Sequence, residues 1–353
     1  MKTVLTDPSR LFEIGRTMQH AGRLVDAIDV LSEASRLDPG RPDIRFQRAL
    51  CFLQCGWWGQ GWPDYELRLH DHPLAKWLGR ETAGRRLIVC GEQGIGDEIM
   101  FASCIPDLLI EHGPLTLIAD TRLHSLFAHS FPGVEVPMTD SRQIKSISAV
   151  DNDDALIMLG SLGKRYRYDA ARFTGAPYLL PDPDRREFFK SVTHNRKGLS
   201  VGLAWRGGIA ETRRHLRSLC FNELRPILSV SGADFYTLQH DEFDGEIYIP
   251  QAVGKVFAVT KSFFDDWLEL ASFVSSLDLV ITVQSSIVHL CGALGVPCWA
   301  LVPAAPEWRY GITGDSMPWY RSVKLYRQSR LGDWSPVLER VRRDLQARIE
   351  ERK

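Results

Sequence analysis

The chain has 353 residues, with 43 basic and 44 acidic side chains and a formal net charge of -1. That balance excludes the strong basic excess of a general nucleic-acid or membrane-surface binder. A hydrophobic fraction of 44% with ten tryptophans excludes disorder, and at this length it predicts two or three compact cores rather than one.

No run of about 18 apolar residues occurs, so no membrane span is expected. Polar Met1 to Arg10 lacks the apolar centre of a secretory signal, which predicts a cytoplasmic protein. Cys51, Cys55, Cys90, Cys104, Cys220, Cys291 and Cys298 fall mostly in apolar runs without a Cys-x-x-Cys pair, and read as buried free thiols. Cys51 and Cys55 are one helical turn apart but have no matching His or Cys pair, so no metal is expected there.

In chain order, the N-terminal segment repeats: Gly22, Ala27, Leu31, Ala34 and Pro39 recur 34 residues later as Gly56, Gly61, Tyr65, Arg68 and Pro73. That period, with small residues where two helices cross and proline closing each unit, is similar to the tetratricopeptide repeat. In the second unit Arg45, Arg48 and Arg68 stand where apolar or small residues belong. Two units are too few for a free solenoid, so this piece is expected to pack on the rest of the chain, with Trp57, Trp58 and Trp62 at the junction. From Arg85 the texture becomes short apolar runs alternating with helical patterns, the pattern of parallel α/β units. A helical unit over 1–80, α/β units over 81–185 and 198–334 and a terminal helix over 335–353 are expected.

In the first α/β unit, Leu87 to Cys90, Leu115 to Ala119 and Leu156 to Leu159 read as strands. Gly91-Glu92-Gln93-Gly94-Ile95-Gly96-Asp97-Glu98 follows the first of these and opens onto a predicted helix from Ile99 to Ile110. Such a turn builds a cleft at the carboxyl edge of a parallel sheet. There Gly94 and Gly96 offer backbone, and Asp97 is placed to take a proton from a hydroxyl. Asp151-Asn152-Asp153-Asp154 resembles a metal-holding Asp-x-Asp but reads as a turn. Proline-rich, charged Pro181 to Lys197 is the expected linker.

The second unit opens with strand Leu199 to Ala204, then Asp234 to Leu238, Leu279 to Val283 and Pro297 to Leu301. Gln284, Ser285, Ser286 and His289 follow the third strand at a helix start, where hydroxyls and amides suit a diphosphate; a plain serine N-cap and a packed structural histidine are the alternatives. Arg206, Gly207 and Gly208, with Arg213 to Ser218, follow the first strand and form either a phosphate-pairing loop or a solvated basic one. Trp308, Tyr310, Trp319 and Tyr320 are expected in the core.

The two-unit layout, the Gly-Ile-Gly-Asp turn and the run Val283 to His289 together resemble the heptosyltransferase-like glycosyltransferases of the GT-B fold. With the helical repeat, Gly56 to Leu69 and Pro303 to Trp334 included, the chain is similar to bacterial tetratricopeptide-repeat glycosyltransferases over nearly its whole length. The resemblance implies two Rossmann-like domains after an all-α module. It also implies inverting, metal-independent transfer from a nucleotide-sugar donor, with no further cofactor. Asp97 falls on the general-base position, Arg217 near the phosphate-binding lysine, and Ser285, Ser286 and His289 on the diphosphate turn. Gln284 replaces an aspartate that contacts the donor sugar, so a heptose donor does not follow. The implied acceptor is a protein, with flagellin as one candidate, or a glycan. An inactive GT-B scaffold carrying helical repeats is the alternative reading.

Overall fold

Asp7 starts helix α1 (Pro8–His20) by accepting the Ser9 amide at 3.0 Å, with proline at the first helical position. The computed structural model describes residues 7–72, 74, 82, 84–141, 153–194, 198–209, 212–239, 256–257 and 261–352. Three more helices follow: α2 (Leu24–Leu37), α3 (Pro42–Gln54) and α4 (Trp58–Tyr65). α1 packs on α2 and α3 on α4, giving two helical hairpins. Gly22 and Gly56 turn the chain between the helices of each hairpin at φ 76° and 77°, a left-handed backbone that glycine adopts without strain. Gly15 and Gly61 let the paired helices touch, since a Cβ on either would lie 2.6 Å from Leu31 or Leu53.

The arginines that break the repeat pattern have partners. Arg45 and Arg48 both pair with buried Asp64 at 2.6 Å. Arg68 grips Glu92 through Nη2 at 2.6 Å and Nε at 3.0 Å, and both side chains are buried. Trp58 and Trp62 sit at the expected junction, where the Trp62 indole donates to the Arg167 carbonyl at 2.7 Å. Trp57 is 41% exposed and does not pack there.

The first α/β unit is a four-stranded parallel sheet, β1 (Leu87–Cys90), β2 (Leu115–Ile118), β3 (Val134–Glu135) and β4 (Ala155–Met158), in the order β3-β2-β1-β4. Its helices are α5 (Ile95–Ala102), α6 (Ile105–His112), α7 (His124–Ser130) and α8 (Leu162–Tyr166). The single helix expected over Ile99 to Ile110 is two. Pro106 lacks the amide needed to continue α5, so the chain breaks at Ser103 and Cys104 and restarts. Because α5 begins at Ile95, Asp97 stands in its first turn rather than in a loop. Asp151 and Asn152 lie outside the described residues; Asp153 is in a turn, and buried Asp154 pairs with Arg86 at 2.8 Å.

The expected linker is largely a helix, α9 (Pro183–Thr193), with residues 195–197 outside the described ones. Asp182 caps it by accepting the Arg185 amide at 2.8 Å and proline takes the first position, so the residues that read as a linker are helix-start residues.

The second unit is a seven-stranded sheet of order β10-β11-β9-β8-β5-β6-β7. Its strands are β5 (Leu199–Ala204), β6 (Ala233–Thr237), β7 (Val256–Phe257), β8 (Leu279–Val283), β9 (Cys298–Val302), β10 (Ser316–Met317) and β11 (Tyr320–Arg327). All pairings are parallel except β10 with β11. Helices α10 (Arg214–Arg217), α11 (Arg225–Leu228), α12 (Trp267–Val274), α13 (Ser286–Leu294) and α14 (Ser335–Glu350) complete the unit. α9 packs on α12, and α14 buries Val341 and Leu345. Among the described residues no helix is long and apolar enough to cross a membrane. Five cysteines are buried, Cys55 is half-buried and Cys220 is exposed.

The two sheets are joined where α5 packs on α13. One turn further along α13, Gly292 meets the Tyr320 ring, which would stand 2.1 Å from an added Cβ. Gly292→Ala therefore overpacks the α13–β11 contact. It is expected to lower unfolding free energy by about 1–3 kcal/mol, read as an earlier denaturant midpoint; an unchanged midpoint would show that this contact yields freely.

Candidate active site

A cavity of about 580 Å³ lies where the N-termini of α5 and α13 face one another. Gly96 permits the approach: a Cβ on it would be 3.1 Å from His289 Cδ2 and 3.3 Å from Ser286 Cα. Gly94, Gly96, Asp97, Arg217, Gln284, Ser285, Ser286 and His289 all line this cavity. Gly207 and Arg206 do not. Gly207 packs beneath the wall, where a Cβ would come within 2.3 Å of the Gln284 carbonyl oxygen. Arg206 lines a separate depression of about 590 Å³ with Arg214 and His215, and its backbone amide donates to Gln239 at 2.9 Å.

The cavity also takes residues that sequence reasoning does not place there. Phe46 and Leu50 of α3 and Tyr65 of α4 form an apolar wall beside Asp97, and Glu307, Trp308, Arg309 and Tyr310 come from the loop after β9. The tail motif draws attention to this last group, but its aromatic residues point to packing. Trp308 and Tyr310 are indeed buried. Gln93 holds the glycine turn to the helical wall, donating to the Tyr65 hydroxyl at 2.9 Å. Gln93 and Arg213 have φ of 67° and 58°, left-handed values that carry strain in residues other than glycine.

Charge at the site is concentrated and only partly paired. Arg309 donates to Asp97 through Nη2, and both side chains are largely buried. The Glu307 carboxylate lies 3.6 Å from Arg213, 3.8 Å from Arg217 and 3.9 Å from Arg309, beyond hydrogen-bond range of all three. Arg217 Nε, Arg309 Nε, Arg213 Nη1 and Gln284 Nε2 are buried donors with no acceptor among the described residues. Burial lowers the pKa of Arg217 from its ordinary value, against the pull of Glu307. Burial opposes the charge on Arg309 too, but Asp97, first among several groups, more than offsets it and holds that pKa above the ordinary value.

The helix-start residues have mixed roles. Ser285 is the N-cap of α13, accepting the Ile287 amide at 3.3 Å, and it lines the cavity as well. Buried Gln284 accepts the Glu307 amide at 3.4 Å, which ties the β8 loop to the arginine-bearing loop. Burial, helped by Arg309, lowers the His289 pKa to about 3, so its ring is neutral near pH 7. Its Nδ1 lies 3.1 Å from the Tyr320 hydroxyl. His289 is thus a packed residue whose edge reaches the cavity.

No protein-family model matches the chain. Protein FlbA of Caulobacter vibrioides (strain ATCC 19089 / CIP 103742 / CB 15) is 30% identical over 346 residues, covering 88% of this chain and 56% of FlbA. The chain thus spans little more than half the length of that relative. The solved glycosyl transferase family 9 protein from Veillonella parvula DSM 2008 is 14% identical, with a TM-score of 0.50 over 70% of this chain and 87% of that one. The two chains share a fold. The E. coli ADP-heptose lps heptosyltransferase II aligns with 13% identity and a TM-score of 0.49 over 76% of this chain and 99% of its own.

Beneath the glycine turn, Glu98 anchors the first turn of α5, which carries Asp97. Its Oε2 accepts the Asp120 amide at 2.8 Å and its Oε1 the Ser141 hydroxyl at 2.7 Å, while a Cβ on Gly91 would collide with it at 2.5 Å. Burial raises its pKa from 4.5 to about 7, outweighing both donors. A carboxyl with a raised folded-state pKa contributes stability that is complete below pH 4.5 and is lost as pH rises through about 7. Stability of the native chain is therefore expected to fall across that window relative to Glu98→Gln. Parallel stability curves for the two proteins from pH 4.5 to 8 would refute this origin of the pH dependence.

Proposed function

We propose that the chain is a glycosyltransferase that moves a sugar from a nucleoside-diphosphate donor to an acceptor hydroxyl, with inversion at the anomeric carbon. The observation that carries this reading is the pairing, within one cavity, of a carboxylate on one helix N-terminus with buried, acceptor-seeking arginine donors beside another. Asp97 supplies the base. It takes the acceptor proton as the hydroxyl oxygen bonds to the anomeric carbon, and the carbon–oxygen bond to the diphosphate breaks with its electron pair leaving on phosphate. Arg217, Arg309 and the amides at Ser285 and Ser286 meet the charge that develops there. This reading assigns the base to α5 and the phosphate site to α13, the division of roles that a single displacement uses.

The hairpins are read as tetratricopeptide-like units with a direct part in the site. Their Phe46, Leu50 and Tyr65 wall stands on the Asp97 side, so it contacts the acceptor, a protein or glycan hydroxyl. Gln284, with both a donor and an acceptor, contacts the donor sugar.

A thermal-shift panel of nucleotides and nucleotide sugars identifies the donor, because a ligand bound to the native state raises apparent stability. With that donor, Asp97→Asn is expected to lower turnover by about a hundredfold or more, measured below its melting temperature because loss of the Arg309 partner also lowers stability. Arg217→Ala is expected to weaken nucleoside-diphosphate binding in calorimetry. No shift with any nucleotide, or full turnover by Asp97→Asn, would sink the reading.

A further inference from the structure

A carboxylate oxygen that already accepts a hydrogen bond from a buried guanidinium is not free to receive a substrate's O–H. Asp97 is in that state, held by Arg309. Arg309 is in turn incompletely used. Its planar fork has five N–H donors, its Nε is buried without an acceptor among the described residues, and Glu307 lies too far away to accept. We propose that Arg309 is a positioning residue shared in turn by Asp97 and the donor's diphosphate, so that Asp97 is freed as a base only once a diphosphate is bound. The inference rests on the glycosyl-transfer reading above.

The geometry gives the diphosphate a clear advantage in this exchange. It offers several anionic oxygens to Arg309 and Arg217 together, where Asp97 engages Arg309 and Glu307 hydrogen-bonds to neither arginine. The two carboxylates are therefore rivals of the ligand. Before donor binds, the paired Asp97 leaves an acceptor hydroxyl unactivated, and the donor is the first substrate to engage productively.

Rivalry has a signature that ordinary contact residues do not show: removing the rival tightens binding. Titration of the full chain with inorganic pyrophosphate by calorimetry, for the native protein, Asp97→Asn, Arg309→Gln and the double variant, reads it directly. Asp97→Asn is expected to bind pyrophosphate about threefold or more tightly, Arg309→Gln more weakly, and the double variant no more tightly than Arg309→Gln. If Arg309→Gln does not fold, Arg309→Lys replaces it, with a smaller gain from Asp97→Asn expected in that background. Unchanged or weaker binding by Asp97→Asn overturns the proposal. So does an equal gain in the Arg309-substituted background, which would show simple charge repulsion. Binding without this coupling leaves the diphosphate site standing, whereas no pyrophosphate binding by the native protein removes the diphosphate site and the sharing together.

Discussion

The site depends on how closely two helix N-termini can approach. α5 leaves one sheet and α13 the other, and their first turns meet at Gly96, Ser286 and His289 with no room for an additional carbon. A second contact of the same kind, Gly207 against the Gln284 carbonyl, seats the loop after β5 on the loop after β8. These two glycines set the width of the cavity. Because each helix N-terminus carries a partial positive charge, the approach concentrates positive potential in a small, partly dry space. A carboxylate in the first turn of α5 is favoured there, and so is any anion that reaches α13.

The arginines extend the same logic at a cost. A buried donor left without an acceptor destabilises the fold by about 1–3 kcal/mol, and three such donors belong to residues that line this cavity, Arg217 Nε, Gln284 Nε2 and Arg309 Nε. Packing alone gives no reason to place them together. Departures from local consistency of this kind cluster at functional sites, and left-handed Gln93 borders the same space. An anionic group could satisfy several of these donors at once, where a neutral one would leave the charge of the arginines unmet.

How much of the site is legible in the sequence depends on what each residue sits beside. Asp97, Gln284, Ser285, Ser286 and His289 come directly after apolar strands β1 and β8, where an apolar run ending in small or polar residues marks a strand's carboxyl end. Those strands match the expected spans residue for residue. Arg309 and Glu307 follow β9 among Pro306, Trp308 and Tyr310, and the aromatic residues there give only a packing signal. The partner of Asp97 is therefore invisible until the chain is folded. α9 shows the opposite failure, since its proline and charge read as a linker although an aspartate before a proline also begins a helix. β11 escapes notice because its exposed Arg321 and Lys324 interrupt the apolar texture of a strand at the margin of the sheet.

The helical hairpins are the strongest case of meaning supplied by packing. As a repeat, the second hairpin is degraded by Arg45, Arg48 and Arg68. As part of the folded chain, the first two hold Asp64 inside the hairpin, and Arg68 reaches out to Glu92 in the glycine turn. Glu92 in turn accepts the Gly160 amide at 3.0 Å after β4, so the pair clamps the turn to both the helices and the sheet. Gln54 ties α3 to the opposite rim, donating to the Pro306 carbonyl at 3.0 Å just before Glu307. The hairpins thus grip the glycine turn that leads into Asp97 and the loop that carries Arg309. They also supply Phe46, Leu50 and Tyr65 to the wall between those loops. A module bound in this way cannot shift without moving both loops, because the hairpin that lines the cavity also holds the turn before Asp97 and the loop before Arg309.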